Sequence, residues 1–143
     1  MGRALELARE AAQRGEVPIG CVITGADGAI LAEAANRTET DRDPTAHAEL
    51  LAIRMAAAKA GAPRLVDCDL HVTLEPCPMC AQAIAIARIR RLYYGAADPK
   101  GGGVENGPRI FSQPTCHHKP EIYGGIAESE AGELLKVFFK ARR

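Results

Sequence analysis

Two short segments carry residues whose types and spacing suit metal-assisted chemistry: Pro44-Thr45-Ala46-His47-Ala48-Glu49 and Glu75-Pro76-Cys77-Pro78-Met79-Cys80. Cys77 and Cys80 are three positions apart at the expected start of a helix. Three helical steps turn about 300°, so both sulfurs project to one side. The partial positive charge of a helix N-terminus favours the thiolate, which is the form that binds zinc. A Cys-x-x-Cys pair alone also fits a redox pair or half of a structural zinc site. No thioredoxin-like arrangement surrounds this pair, and His47, also at a helix start, offers a third ligand. Three protein ligands leave a fourth position for water, the pattern of a catalytic site. Cys116-His117-His118 is the alternative source of a fourth ligand, which would close the site into a structural one.

Glu49 follows His47 by two residues, and on a regular helix such neighbours diverge by about 200°. Spacing alone therefore does not aim Glu49 at the metal. The combination of His-x-Glu with Pro-Cys-x-x-Cys is nevertheless the signature of zinc-dependent nucleobase deaminases, in which the Glu is the acid/base and not a ligand. On that pattern His47, Cys77 and Cys80 bind one zinc ion per subunit, and Glu49 carries protons while water replaces an exocyclic amine.

The elements that must position these residues follow from periodicity and punctuation. Leu5, Leu7, Ala8, Ala11 and Ala12 form a helical apolar face that Gly15 ends. Residues 17–24 and 29–35 read as strands around Gly25-Ala26-Asp27-Gly28, a hairpin signal. After a polar loop at 36–43, Asp43 as cap and Pro44 in the first turn predict a helix over 44–59. A strand at 70–74, a helix at 76–88 and a strand at 90–95 follow, then a Gly-rich loop at 98–108. A short strand at 121–123 and a helix at 129–142, capped by Ser129, complete the chain. The alternation predicts a mainly parallel sheet covered by helices, in one domain over residues 1–143.

Composition excludes several classes. Apolar residues make up 47% and charged residues 25%, the balance of a globular domain and not of a disordered chain. No apolar run is long enough to span a bilayer, and the N-terminal segment lacks the pattern of a signal peptide, so the expected compartment is the cytoplasm. Five cysteines, an odd number, argue against a disulfide framework; Cys21, in an apolar run, reads as a small buried hydrophobe. Eighteen basic and eighteen acidic residues rule out a uniform polycation. The charge is nonetheless uneven: residues 1–87 hold 8 Lys+Arg against 12 Asp+Glu, and residues 88–143 hold 10 against 6. The basic part includes Arg88, Arg90, Arg91, Lys100, Arg109 and Lys119, then Lys136, Lys140, Arg142 and Arg143, enough for a local surface that meets phosphates.

Over nearly its whole length the sequence resembles the bacterial tRNA-specific adenosine deaminases of the cytidine-deaminase superfamily. The resemblance is carried by Glu16-Val17-Pro18-Ile19-Gly20, Asn36-Arg37, 43–49, Val72-Thr73-Leu74-Glu75-Pro76-Cys77, Ala87-Arg88-Ile89, Tyr94-Gly95-Ala96, 98–102 and Phe138-Phe139. It implies a three-layer α/β/α fold around a five-stranded mixed sheet. It implies a homodimer that holds a tRNA anticodon stem-loop and converts adenosine to inosine at the wobble position of an arginine tRNA. By position, Asn36 would contact the base, Val17 would pack on it, and Asp98 would lie near the backbone of the preceding nucleotide. Arg88, His117 and His118 would meet nucleotides, and backbone groups around Glu75-Pro76 would hold the leaving amine. The sequence departs from the family at His117, where Asn is frequent, and in the loop 103–107. The nearest competing expectation is a small-molecule deaminase acting on guanine or cytosine, because Pro-Cys-Pro-Met-Cys occurs there too.

Overall fold

The computed structural model describes residues 1–142; Arg143, the last of the basic C-terminal residues, lies outside them. The elements in chain order are α1 (Gly2–Gln13), β1 (Gly20–Thr24), β2 (Ile30–Ala35), α2 (Ala48–Ala60), β3 (Asp69–Leu74), α3 (Pro78–Ile86), β4 (Arg91–Ala96), a 3-10 turn at Ile110–Ser112, β5 (Glu121–Tyr123) and α4 (Glu128–Lys140). The strands form one sheet in the order β2-β1-β3-β4-β5. Helices α1 and α4 cover one face, and α2 and α3 the other. The result is the three-layer α/β/α arrangement that the resemblance implies.

The sheet is mixed and not mainly parallel. β1 pairs antiparallel with both β2 and β3, whereas β3–β4 and β4–β5 are parallel. Strand and α-helix alternate only over β2-α2-β3-α3-β4. The hairpin at the N-terminal end has no crossover helix and must pair antiparallel. Its turn is closed by Gly25 N–H to Ala29 O at 2.9 Å, with Gly28 at φ +83°.

Period-two alternation divides each central strand between two cores. On β1, Cys21 and Ile23 are wholly buried toward α2 and α3 with Leu70, Val72, Ala52 and Ile84. Val22 faces α1 beside Ala4, Leu7 and Ala11. Helix α1 approaches so closely that a Cβ on Gly20 would lie 2.0 Å from Ala4 O.

Three helix starts differ from expectation. Helix α3 begins at Pro78 and not at Pro76. Helix α2 begins at Ala48 and not at Pro44, because Asp43 does not cap it. Asp43 Oδ1 instead accepts from Thr45 N–H and Oγ1–H at 2.8 and 2.7 Å, a local turn that competes with helix formation. Helix α4 is preceded by Ala127 in the left-handed region at φ 56°, and Ser129 lies inside its first turn without capping it.

Candidate active site

His47 is the N-cap of α2, with extended backbone at φ −75° and ψ 148°. Cys77 occupies the same place on α3, at φ −69° and ψ 170°, and Pro78 follows in the first helical position, where its missing N–H has no partner to lose. An N-cap side chain folds back over the first turn, toward the second and third helical residues. On α3 this brings Cys77 to Cys80. On α2 it brings His47 to Glu49. The divergence expected for two residues inside one helix does not apply, because His47 lies outside the helix. Both helix N-termini point into the same space, where their dipoles favour anionic groups.

His47 Nδ1 is 3.7 Å from Cys77 Sγ and 3.6 Å from Cys80 Sγ. The three donor atoms lie within 4.8 Å of one another, the one such group among the described residues. A tetrahedral zinc would separate nitrogen from sulfur by about 3.5 Å, so the donor set and its spacing fit that ion. Cys116, His117 and His118 stand elsewhere, which leaves three protein ligands. Hydrogen bonding from the Cys80 thiol, together with His47, draws the Cys77 thiol down to about 4, while Cys80 itself is raised. The pair thus shares one proton, which a divalent cation would displace.

Glu49, 4% exposed, stands in the first turn of α2 against Cys80. Burial, with the neighbouring Cys77 charge adding to it, pushes its carboxyl up to about 7. Such a group can both take and give a proton at neutral pH.

These residues wall a cavity of about 220 Å³, lined also by Ile19, Leu74, Glu75, Asp98 and Gly101. Asp98 is therefore in the cavity wall. Asn36, at the end of β2 and 5% exposed, donates its backbone N–H at 3.0 Å to Ile19, a lining residue. Val17 is half-buried in the α1–β1 connection and does not line the cavity; Ile19 does. Arg88 lies beyond the far end of α3, a helix roughly 13 Å long that starts after Cys77. Its φ is 62°, and its guanidinium donates to Ala85 O at 3.1 Å. His118 Nε2–H donates to Ile89 O at 2.7 Å, which pins residues 116–118 beside Arg88. Arg88 and His118 thus form a separate group away from the cavity.

Two buried carboxylates escaped sequence reasoning as organisers of the site. Glu16, wholly buried, accepts from Glu39 N–H, Thr40 N–H and Thr40 Oγ1–H at 3.2, 2.7 and 2.6 Å, fastening the loop that leads to His47. Glu75 fastens the loop after β4, and its side chain is turned to that loop. Gly102 and Gly103 fit here for a steric reason: a Cβ on Gly103 would lie 2.5 Å from Pro78 N, and one on Gly102 2.5 Å from Glu75 Oε2.

Residues 1–96, which include all four central residues, match the family model of the cytidine and deoxycytidylate deaminase zinc-binding region. The chain is 59% identical to the tRNA-specific adenosine deaminase of Agrobacterium fabrum, over 100% of this chain and 93% of that one. A solved structure from work on A-to-I editing by tRNA:A34 deaminases at the wobble position is 61% identical, with a TM-score of 0.90 over 92% of this chain and 95% of that one. The guanine deaminase of Bacillus subtilis is more distant, 36% identical with a TM-score of 0.65 over 99% and 90% of the two chains. A His/Cys/Cys group with an adjoining buried Glu, on this fold and with relatives alike from end to end, places the protein: the chain belongs to the cytidine and deoxycytidylate deaminase zinc-binding family and, within it, to the tRNA-specific adenosine deaminases.

Proposed function

We propose that residues 1–143 form a single zinc-dependent domain that deaminates adenosine to inosine at the wobble position of a tRNA anticodon, an arginine tRNA by resemblance, and releases ammonia. The observation that carries the chemistry is a buried carboxyl, Glu49, beside a three-ligand metal set. Full-length likeness to tRNA-specific adenosine deaminases supports the substrate.

His47, Cys77 and Cys80 would hold one zinc ion per subunit, and the ion when bound supplies a Lewis acid that lowers the pKa of water. The Glu49 carboxylate takes a proton from the water as its oxygen adds to the carbon bearing the amine. The Glu49 carboxyl returns that proton to the adjacent ring nitrogen. Glu49 then takes the remaining proton of the added hydroxyl and gives it to the exocyclic amine, which departs as ammonia with the electrons of its carbon–nitrogen bond while the oxygen closes to the carbonyl of inosine. By resemblance Asn36 and Asp98 would contact the nucleotide and Val17 would pack on the base; in support, Asp98 lines the cavity, and Asn36 and Val17 are hydrogen-bonded through their backbones to the lining residue Ile19. Arg88 and His118 would meet RNA outside the cavity, together with part of the basic C-terminal half. We further propose that the enzyme works as a homodimer in the cytoplasm. Among the described residues no helix is long and apolar enough to cross a membrane.

The test offers the purified, zinc-loaded protein an anticodon stem-loop and, separately, free adenosine, guanine and cytosine. Inosine at the wobble position with ammonia release is expected. Rapid deamination of free guanine without reaction of the RNA would overturn the substrate in favour of the small-molecule reading, and light scattering reports the oligomeric state.

A further inference from the structure

The Glu75 carboxylate, 2% exposed at the end of β3, collects five donors from one loop. Oε1 accepts from Asp98 N–H at 3.0 Å and Asn106 Nδ2–H at 2.7 Å. Oε2 accepts from the N–H groups of Val104, Glu105 and Asn106 at 3.1, 3.0 and 3.1 Å. A carboxylate offers about four lone-pair sites, so this one has no capacity left for a substrate amine. The loop is thereby tied at both ends, at 98 and at 104–106, and the stretch between them arches beside the cavity, with Asp98 and Gly101 in its wall. Gly102 N–H closes that arch on Asp98 O at 2.9 Å. The Asp98 side chain is in turn set by Lys100 and Gly101 N–H groups on its Oδ1, at 3.2 and 2.9 Å.

We propose that the Glu75 side chain is a positioning group, whose carboxylate touches no substrate and holds Asp98 at the cavity wall through the Asp98 amide. This rests on the deaminase reading above. A contact with the leaving amine in this part of the chain falls to backbone groups and not to the Glu75 side chain.

Glu75→Gln isolates the effect. With the amide oxygen at the Oε2 position, the N–H groups of 104–106 keep their acceptor. The new NH2 then faces Asp98 N–H and Asn106, and the Asn106 amide can rotate to present its oxygen. Asp98 N–H alone is left facing another donor. The expected result is a rise of about tenfold or more in KM for the anticodon stem-loop, the scale of one lost hydrogen bond to a charged group, with kcat and zinc content nearly unchanged. Amide hydrogen exchange should quicken at Asp98 while Val104 and Glu105 stay protected. An unchanged KM overturns the proposal, and so does a loss confined to kcat, which would put Glu75 in the chemistry. Should the variant not fold, exchange in the wild-type protein decides: slow amides at 98 and 104–106 support the anchor, and amides as fast as those of the exposed loop refute it. Exchange needs no turnover, so a wild-type protein that makes no inosine would sink the deaminase reading and leave the anchor separately testable.

Discussion

Replacing Glu49 by Gln should disable the enzyme and stabilise its metal-free fold. Burial raises the Glu49 carboxyl from an ordinary 4.5 to about 7. Above pH 7 the group is ionised in both folded and unfolded chains, and the folded chain carries the full penalty of a buried charge. Between pH 7 and 4.5 the folded chain keeps a proton that the unfolded chain has released, so stability rises as pH falls through this window. Below 4.5 both forms are protonated and the penalty is gone. At about 1.4 kcal/mol per pKa unit, the penalty at pH 8 is about 3 kcal/mol. Gln keeps the shape and removes the charge, so chelator-treated Glu49→Gln should unfold about 10 °C above chelator-treated wild type at pH 8, and at nearly the same temperature at pH 4. A divalent cation beside the carboxylate offsets part of the penalty, so the gain should shrink in zinc-loaded protein. Inosine formation should fall by a factor of about 10² to 10⁴, the usual contribution of a positioned acid/base. Thermal unfolding at the two pH values, with and without chelator, is the assay. A variant no more stable than wild type at pH 8 without metal would refute the account of Glu49 as a charge held in a dry site, and retained activity would refute the proton shuttle.

Two other substitutions test the walls of the site. Gly103→Ala sets a Cβ 2.5 Å from Pro78 N and 2.9 Å from Cys77 C, backbone that cannot yield without moving a metal ligand. It should cost about 1–3 kcal/mol in urea unfolding and weaken zinc retention, whereas a neutral result would mean that this contact relaxes freely. Glu16→Gln leaves one buried donor of the 39–40 loop unmatched and should cost about 1–3 kcal/mol at pH 7. Burial pushes the Glu16 carboxyl up, but hydrogen bonds from Thr40 and Glu39 outweigh it, and the net shift is downward from 4.5. Its contribution is therefore present above pH 4.5 and lost as pH falls below that value. The variant should show a flatter acid limb of stability than wild type, and parallel acid limbs would exclude this role.

What the sequence determined by itself is local. Cys77, Cys80 and the N-terminus of α3 lie within four residues of one another, and the hairpin at 25–28 is closed by its own glycines; both follow from dihedral preferences and short-range bonds. The His-x-Glu and Pro-Cys-x-x-Cys pattern named the donor set, and the mixed sheet and its layers came from family resemblance where strand-helix alternation misled. The turn at Asp43 lay on the boundary of what could be read. The same Asp can cap a helix or satisfy Thr45, and the second choice moves the start of α2 by four residues, from Pro44 to Ala48. That shift makes His47 an N-cap and lets Glu49 share its side of the helix.

Tertiary structure alone decided which partners the buried charges found. Glu16 meets residues 23 and 24 positions away, and Glu75 meets residues 23 to 31 positions away. No periodicity connects such pairs, because their bonds form only after the sheet has set the strand ends side by side. It also separated residues that the sequence could not, with Asp98 at the cavity and Arg88 and His118 at the other end of α3. A helix carries its two ends apart, whatever function they share.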